Sequence, residues 1–185
     1  AVLRPGRLDL KVKVNRPNRD GAFDIFVKYL AENLPFSDEA KRVWGNDPKL
    51  IVRGMIGDVV DKMYAENDEN RFLEVTYAKG EREIFYFKDF SSGAMIKNIV
   101  DRAKKEAIKR FINTDDPGIR LEDMIDAYRD EFKENEDLPN TTNPDDWARI
   151  SGRKGEKIIN VRTLITGINR NEESIETVGG AGQYL

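Results

Sequence analysis

Neither cysteine nor histidine occurs in this sequence. The first absence removes disulfides, thiolate metal sites and a thiol nucleophile. The second removes the commonest general base and metal ligand. No apolar run approaches the roughly 20 residues that span a bilayer, and no signal peptide is expected. A soluble, cytoplasmic protein is the expectation, and the sequon at Asn140-Thr141-Thr142 then carries no meaning. Cationic excess is lacking as well. The 31 Lys and Arg against 34 Asp and Glu leave a net charge of −3, which does not favour general nucleic-acid affinity. The 185 residues suffice for one large or two small domains with a real core.

What is present centres on the stretch from Phe90 to Asn113. Ser91 or Ser92 can cap a helix start by accepting a backbone N–H. Ile96, Ile99, Val100, Ala103, Ala107, Ile108 and Phe111 then recur as one apolar stripe at helical spacing. Lys97, Arg102, Lys104, Lys105, Lys109 and Arg110 take the other face. Gly93-Ala94 sits in the first turn, where a backbone without bulk can approach a ligand and free N–H groups favour anions. Taken alone, this is equally an ordinary core helix opened by a small residue.

In chain order, Leu8 to Val14 alternates apolar and polar residues like a half-buried strand. A lone strand is not stable, so the sequence reads as part of something longer. Asp20 is a candidate cap for a helix carrying Phe23, Phe26, Val27 and Leu30, ended by Pro35. Residues 36–48 are mixed, with a turn at Trp44-Gly45-Asn46. From Pro48, Val52, Met55, Ile56, Val59, Val60 and Met63 mark a second helix; Gly54 and Gly57 weaken it and suggest close packing of a neighbour. The period then changes. Phe72–Tyr77 and Glu83–Phe87 are strand-like runs joined by a short loop containing Gly80. The central helix ends at Asp116-Pro117-Gly118, and a fourth carries Leu121, Met124, Ile125, Tyr128 and Phe132. Glu134 to Asp146 reads as a loop, and Lys157 to Thr166 as a last strand. From Gly167 the residues are too polar or small to order themselves, ending in a glycine-rich run and Gln183-Tyr184-Leu185.

Three motifs carry possible chemistry. Arg4-Pro5-Gly6-Arg7 holds two permanently charged guanidinium groups on a rigid corner, suited to gripping phosphate but also common as a solvent-facing turn. The tail carries an aromatic, an aliphatic residue and a terminal carboxylate on a glycine linker, suited to pocket insertion or simply frayed. The basic face of the central helix, beside a hairpin, is the third. It lacks interleaved aromatics and is interrupted by Asp101 and Glu106, so it reads as a solvated face. Ser151-Gly152-Arg153-Lys154-Gly155 lacks the frame of a phosphate loop and reads as a turn. Asp145-Asp146 before Trp147 reads as a helix cap.

Together these pieces resemble the end of an AAA ATPase. The run from Ala1 to Asp9, AVLRPGRLD, is similar to the close of that family's second region of homology, and Gly93-Ala94 stands where its sensor-two element opens the third helix of the small domain. Met63–Gly80, Tyr86–Lys105, Glu134–Ile158 and the terminal GQYL narrow the resemblance to the actinobacterial proteasomal ATPases, known as Mpa and ARC, over almost the whole chain.

The resemblance implies an α+β architecture. Residues 1–17 would end the AAA large domain, and 18–135 would form a four-helix small (lid) domain with a hairpin inserted at about 72–89. Residues 136–167 would complete a β-grasp-like insertion, and 168–185 would be a flexible tail. It implies a homohexamer that hydrolyses ATP with Mg2+, unfolds proteins tagged with the ubiquitin-like protein Pup, and feeds them to the 20S proteasome core. Arg4 and Arg7 would be arginine fingers acting on the neighbouring subunit's ATP. Gly93 and Ala94 would face this subunit's own nucleotide. Gln183, Tyr184 and Leu185 would dock between α-subunits of the core, although Gln183 departs from the hydrophobic residue many activators carry there. No Walker A lysine, Walker B acids, pore loop or coiled coil for Pup is found, so this polypeptide alone is expected to be inactive, with no tightly bound cofactor. No nucleic acid or membrane partner is expected. The alternative is a self-standing docking or adaptor module without a nucleotide role.

Overall fold

The computed structural model describes residues 15–134 and 158–164. Helix α1, Arg19–Tyr29, is capped by Asn18, whose side chain accepts from Gly21 N–H at 2.8 Å. Asp20, the expected cap, lies instead in the first turn, where a negative charge suits the helix dipole. Residues 36–48 contain a helix that their mixed composition hid. In α2, Asp38–Trp44, the Ser37 hydroxyl accepts from Ala40 N–H and Gly45 ends the last turn at φ 88°. Helix α3, Pro48–Tyr64, buries every residue expected of it and Ile51 besides. A Cβ on Gly54 would sit 2.7 Å from Trp44 Cγ, so α2 packs where only a glycine leaves room; Gly57 has nothing within 4 Å and no such reason.

After a 3-10 turn at Asp68–Asn70 the chain pairs β1, Arg71–Tyr77, with β2, Arg82–Tyr86, around Gly80 at φ 85°. The short α4, Phe87–Phe90, leads into α5, Gly93–Thr114, and then α6, Leu121–Glu134. Strand β3, Ile158–Thr163, is shorter than the run expected there and lies antiparallel on the free edge of β1, giving the order β2-β1-β3. Thus the four long helices expected, α1, α3, α5 and α6, are joined by two short ones among the described residues; the β1–β2 hairpin is inserted between α3 and α5, and β3 joins its sheet from beyond α6.

One aromatic cluster joins sheet to helices. Phe72 on β1 meets Phe90 at 4.8 Å, Phe87 at 5.5 Å and Phe132 at 6.0 Å between ring centroids, and Phe87 stacks on Phe132 at 4.3 Å. Such pairs add about 0.5–1.5 kcal/mol beyond their buried area. At the same junction Asn70, nearly fully buried, donates to the Lys62 and Ala65 carbonyls and accepts from the Tyr128 hydroxyl. Its polar atoms are thereby satisfied while it ties α3, the sheet and α6 together.

The apolar stripe of α5 is buried from Ile96 to Ala107, but Ile108 and Phe111 are 59% and 47% exposed. The helix, 22 residues and about 33 Å long, outruns the shorter α1 and α6 against which it packs. Charge is buried between α5 and α6. Glu131, 3% exposed, accepts from Asn98 at 3.0 Å and Arg102 at 3.1 Å, while Arg102 also reaches Glu134.

The loop between α5 and α6 is pinned to the loop before α2. Phe36 and Ile119 form an isolated bridge in which Ser37 N–H donates to the Ile119 carbonyl at 3.1 Å and Ile119 N–H to the Pro35 carbonyl at 2.9 Å.

Candidate functional site

Gly93 and Ala94 are the first two residues of α5, preceded by Ser92 in extended conformation. The Ser92 hydroxyl accepts from Met95 N–H at 3.3 Å, so the cap foreseen at Ser91 or Ser92 falls on Ser92. Ser91 is buried instead and donates its hydroxyl hydrogen to the Phe87 carbonyl at 3.2 Å. Gly93 is half-buried and Ala94 exposed. A Cβ on Gly93 would meet only Ile25 Cδ1, at an ordinary 3.8 Å. Nothing within the described chain therefore requires glycine there. What the two small residues leave is an accessible backbone at the positive end of a long helix dipole.

Three groups lie at the residues that lead into α5: Tyr64 beside Ser91, Arg16 over Phe90, and Asp89. The Tyr64 hydroxyl, at the end of α3, donates to the Pro17 carbonyl at 2.7 Å. Burial pushes this phenol up to about 12, with the neighbouring Ser91 hydroxyl opposing, so it remains a neutral donor at physiological pH. The Arg16 guanidinium carbon stands 5.4 Å from the centroid of the Phe90 ring. Arg16 as a whole is exposed, and the partial desolvation of its guanidinium, which lowers its pKa, is opposed by the nearby Asp89 charge; a guanidinium remains a cation throughout. Asp89 itself accepts from Tyr86 N–H at 2.8 Å and so fixes α4.

Gly93 and Ala94 are the two sequence-derived site residues that fall on described residues. Arg4, Arg7, Gln183, Tyr184 and Leu185 lie outside them, as do the expected strand at Leu8–Val14 and the tail from Gly167. Arg16, Tyr64 and Phe90 escaped the sequence reading.

The basic face of α5 is engaged by the chain itself. Lys97 donates to Asp101 and Lys109 to Glu106, both at 2.5 Å, and Lys104 to the Tyr29 carbonyl at 3.0 Å. Arg102 holds Glu131 and Glu134, and Arg110 holds Asp123. Lys105, on the same face, is exposed. Among the described residues, no three His, Cys, Asp or Glu side chains are grouped to hold a metal, and no helix is long and apolar enough to cross a membrane.

Residues 17–184 match the family model described as ARC, AAA+ ATPase lid domain. The chain belongs to that family. Over its full length it is 58% identical to a proteasome-associated ATPase of Actinosynnema mirum, and 59% identical to those of Nocardia farcinica and Rhodococcus jostii. It covers 31–32% of these relatives, so it spans about a third of their length. The ARC lid assignment agrees with the α+β architecture and with the recognition of the chain as part of an actinobacterial proteasomal ATPase.

Proposed function

We propose that this chain is the C-terminal portion of a cytoplasmic, hexameric, ATP-dependent unfoldase that delivers pupylated proteins to the 20S proteasome core. The observation that carries the reading is the lid-family match over residues 17–184, together with full-length similarity to proteins named proteasome-associated ATPases. Within it, Gly93 and Ala94 face this subunit's own ATP, Arg4 and Arg7 reach the ATP of the neighbouring subunit, and Gln183-Tyr184-Leu185 dock on the core α-ring. The sheet β2-β1-β3 is the visible part of a β-grasp-like insertion.

The described residues fit one side of a nucleotide. The start of α5 offers accessible backbone N–H groups with no bulk in front of them. Among the described residues no three carboxylates are grouped to hold Mg2+. Bound ATP supplies the free energy of hydrolysis. The role of this chain's residues is to contact the nucleotide through the opening of α5 and to carry the resulting displacement into a rigid helical body.

The test is Gly93→Asp in the full-length protein. A carboxylate in the first turn suits the helix dipole and leaves the fold intact. Facing phosphate, however, a like charge costs about 1.4 kcal/mol or more, so the KM for ATP is expected to rise about tenfold or more. An unchanged KM would remove the nucleotide from this site. Deleting Gln183–Leu185 tests the docking role separately: core-dependent degradation should be lost while ATP turnover persists.

A further inference from the structure

The incoming segment at residues 15–18 and the start of α5 are distant in sequence yet fastened together. We propose that Arg16 is a positioning residue: seated on Phe90 beside Asp89, it fixes where Gly93 and Ala94 stand relative to the chain that precedes residue 16. This rests on the reading of Gly93-Ala94 as a nucleotide contact.

The seat is rigid. Phe90 is 4% exposed and its ring is held by Phe72 at 4.8 Å and Phe85 at 6.2 Å. Between Phe90 and Gly93 stand only Ser91 and Ser92, the first bonded to the Phe87 carbonyl and the second capping α5. The incoming chain is stiff as well, because Pro17 fixes its own φ and restricts the residue before it to extended conformations. A second tie lies beside the first, where the Tyr64 hydroxyl holds the Pro17 carbonyl at 2.7 Å. For the preceding part of the protein to shift against the opening of α5, the cation must leave the ring. The stack thus holds the lid in the pose that meets nucleotide, and losing it spreads the lid over poses that do not. A fall in the binding-competent fraction raises the apparent dissociation constant in proportion.

Arg16→Ala, Arg16→Lys, Arg16→Met and Tyr64→Phe in the assembled full-length protein test this, with Gly93→Asp alongside. Arg16→Ala is expected to raise the KM for ATP about two- to fivefold with kcat changed less than about twofold, the range a cation–π contact at an exposed site supports. Lysine, which also places a cation over the ring, should restore KM, and methionine should not. Tyr64→Phe, which leaves the stack in place, should raise KM about twofold and keeps the test open should Arg16→Ala fail to assemble. Wild-type KM in Arg16→Ala, or recovery by methionine equal to that by lysine, overturns the proposal. So does an unchanged KM in Tyr64→Phe if that is the variant left to measure. If Gly93→Asp also leaves KM unchanged, the nucleotide contact itself is at fault; if it raises KM while the Arg16 variants do not, only the positioning role fails.

Discussion

Replacing Arg4 or Arg7 by alanine in the full-length protein should lower ATP turnover by about three orders of magnitude or more, with the ring still assembled. The expectation follows from the chemistry of the Arg4-Pro5-Gly6-Arg7 corner. A phosphoryl group in transfer spreads negative charge over its equatorial oxygens, and a planar guanidinium can meet two of them at once. Lysine should rescue poorly, since its ammonium is a compact, strongly hydrated point charge without the fork. ATP binding should persist, because the fingers act on the transition state and not on the ground state. Turnover assays paired with sizing of the assembly separate this outcome from mere dissociation. Wild-type turnover in both alanine variants would leave the chain as a docking module with no part in hydrolysis.

Gly118→Ala should be the most damaging single-methyl change in the lid, lowering its stability by about 3 kcal/mol or more and shifting the urea midpoint of the 185-residue chain accordingly. Two effects combine. At φ 93° an L side chain is strained whatever the surrounding space. The added Cβ would also stand 2.5 Å from Ser37 N and 2.7 Å from the Phe36 carbonyl oxygen, both backbone atoms that cannot swing aside. Relief requires opening the Phe36–Ile119 bridge, with loss of the bonds from Ser37 N–H and Ile119 N–H. The Gly118 carbonyl, which accepts from Arg110, would be displaced with them. A near-neutral Gly118→Ala would mean that the two loops are not joined in solution.

Long periodic segments were legible in the sequence. Helix α3 buries the residues its 3.6-residue spacing selects, α6 buries all of its own but the half-buried Leu121, and the hairpin followed from two β-prone runs around Gly80. Helix α2 was hidden because seven residues hold barely two turns, too few to show a period. Its end signals were nevertheless present: Ser37, then Asp38 and Glu39, with Lys41 and Arg42 before Gly45. At the end of α5, spacing placed Ile108 and Phe111 inside, because periodicity reports a face of the helix and not how far its partners extend. Glu131 was missed for a related reason. A glutamate is presumed solvated until a partner such as Arg102, on another helix, is known to reach it. The opening of α5 was read correctly as a glycine-led, serine-capped start. Arg16 was not, since a solitary cation before a proline acquires meaning only from Phe90, which the sequence places far away.

Strand β1 has one neighbour supplied almost at once and another only after the whole of α5 and α6 has been made: Val75 faces Glu83 on one side and Val161 on the other. The first pairing closes a short loop, whereas the second waits for the whole of α5 and α6, and separations of that kind slow the search for the native state far more than they weaken it. During biosynthesis the outer edge of β1 therefore stays without its mate until Ile158–Thr163 has been made. That interval is the one in which a nascent lid is most exposed to mispairing with another chain.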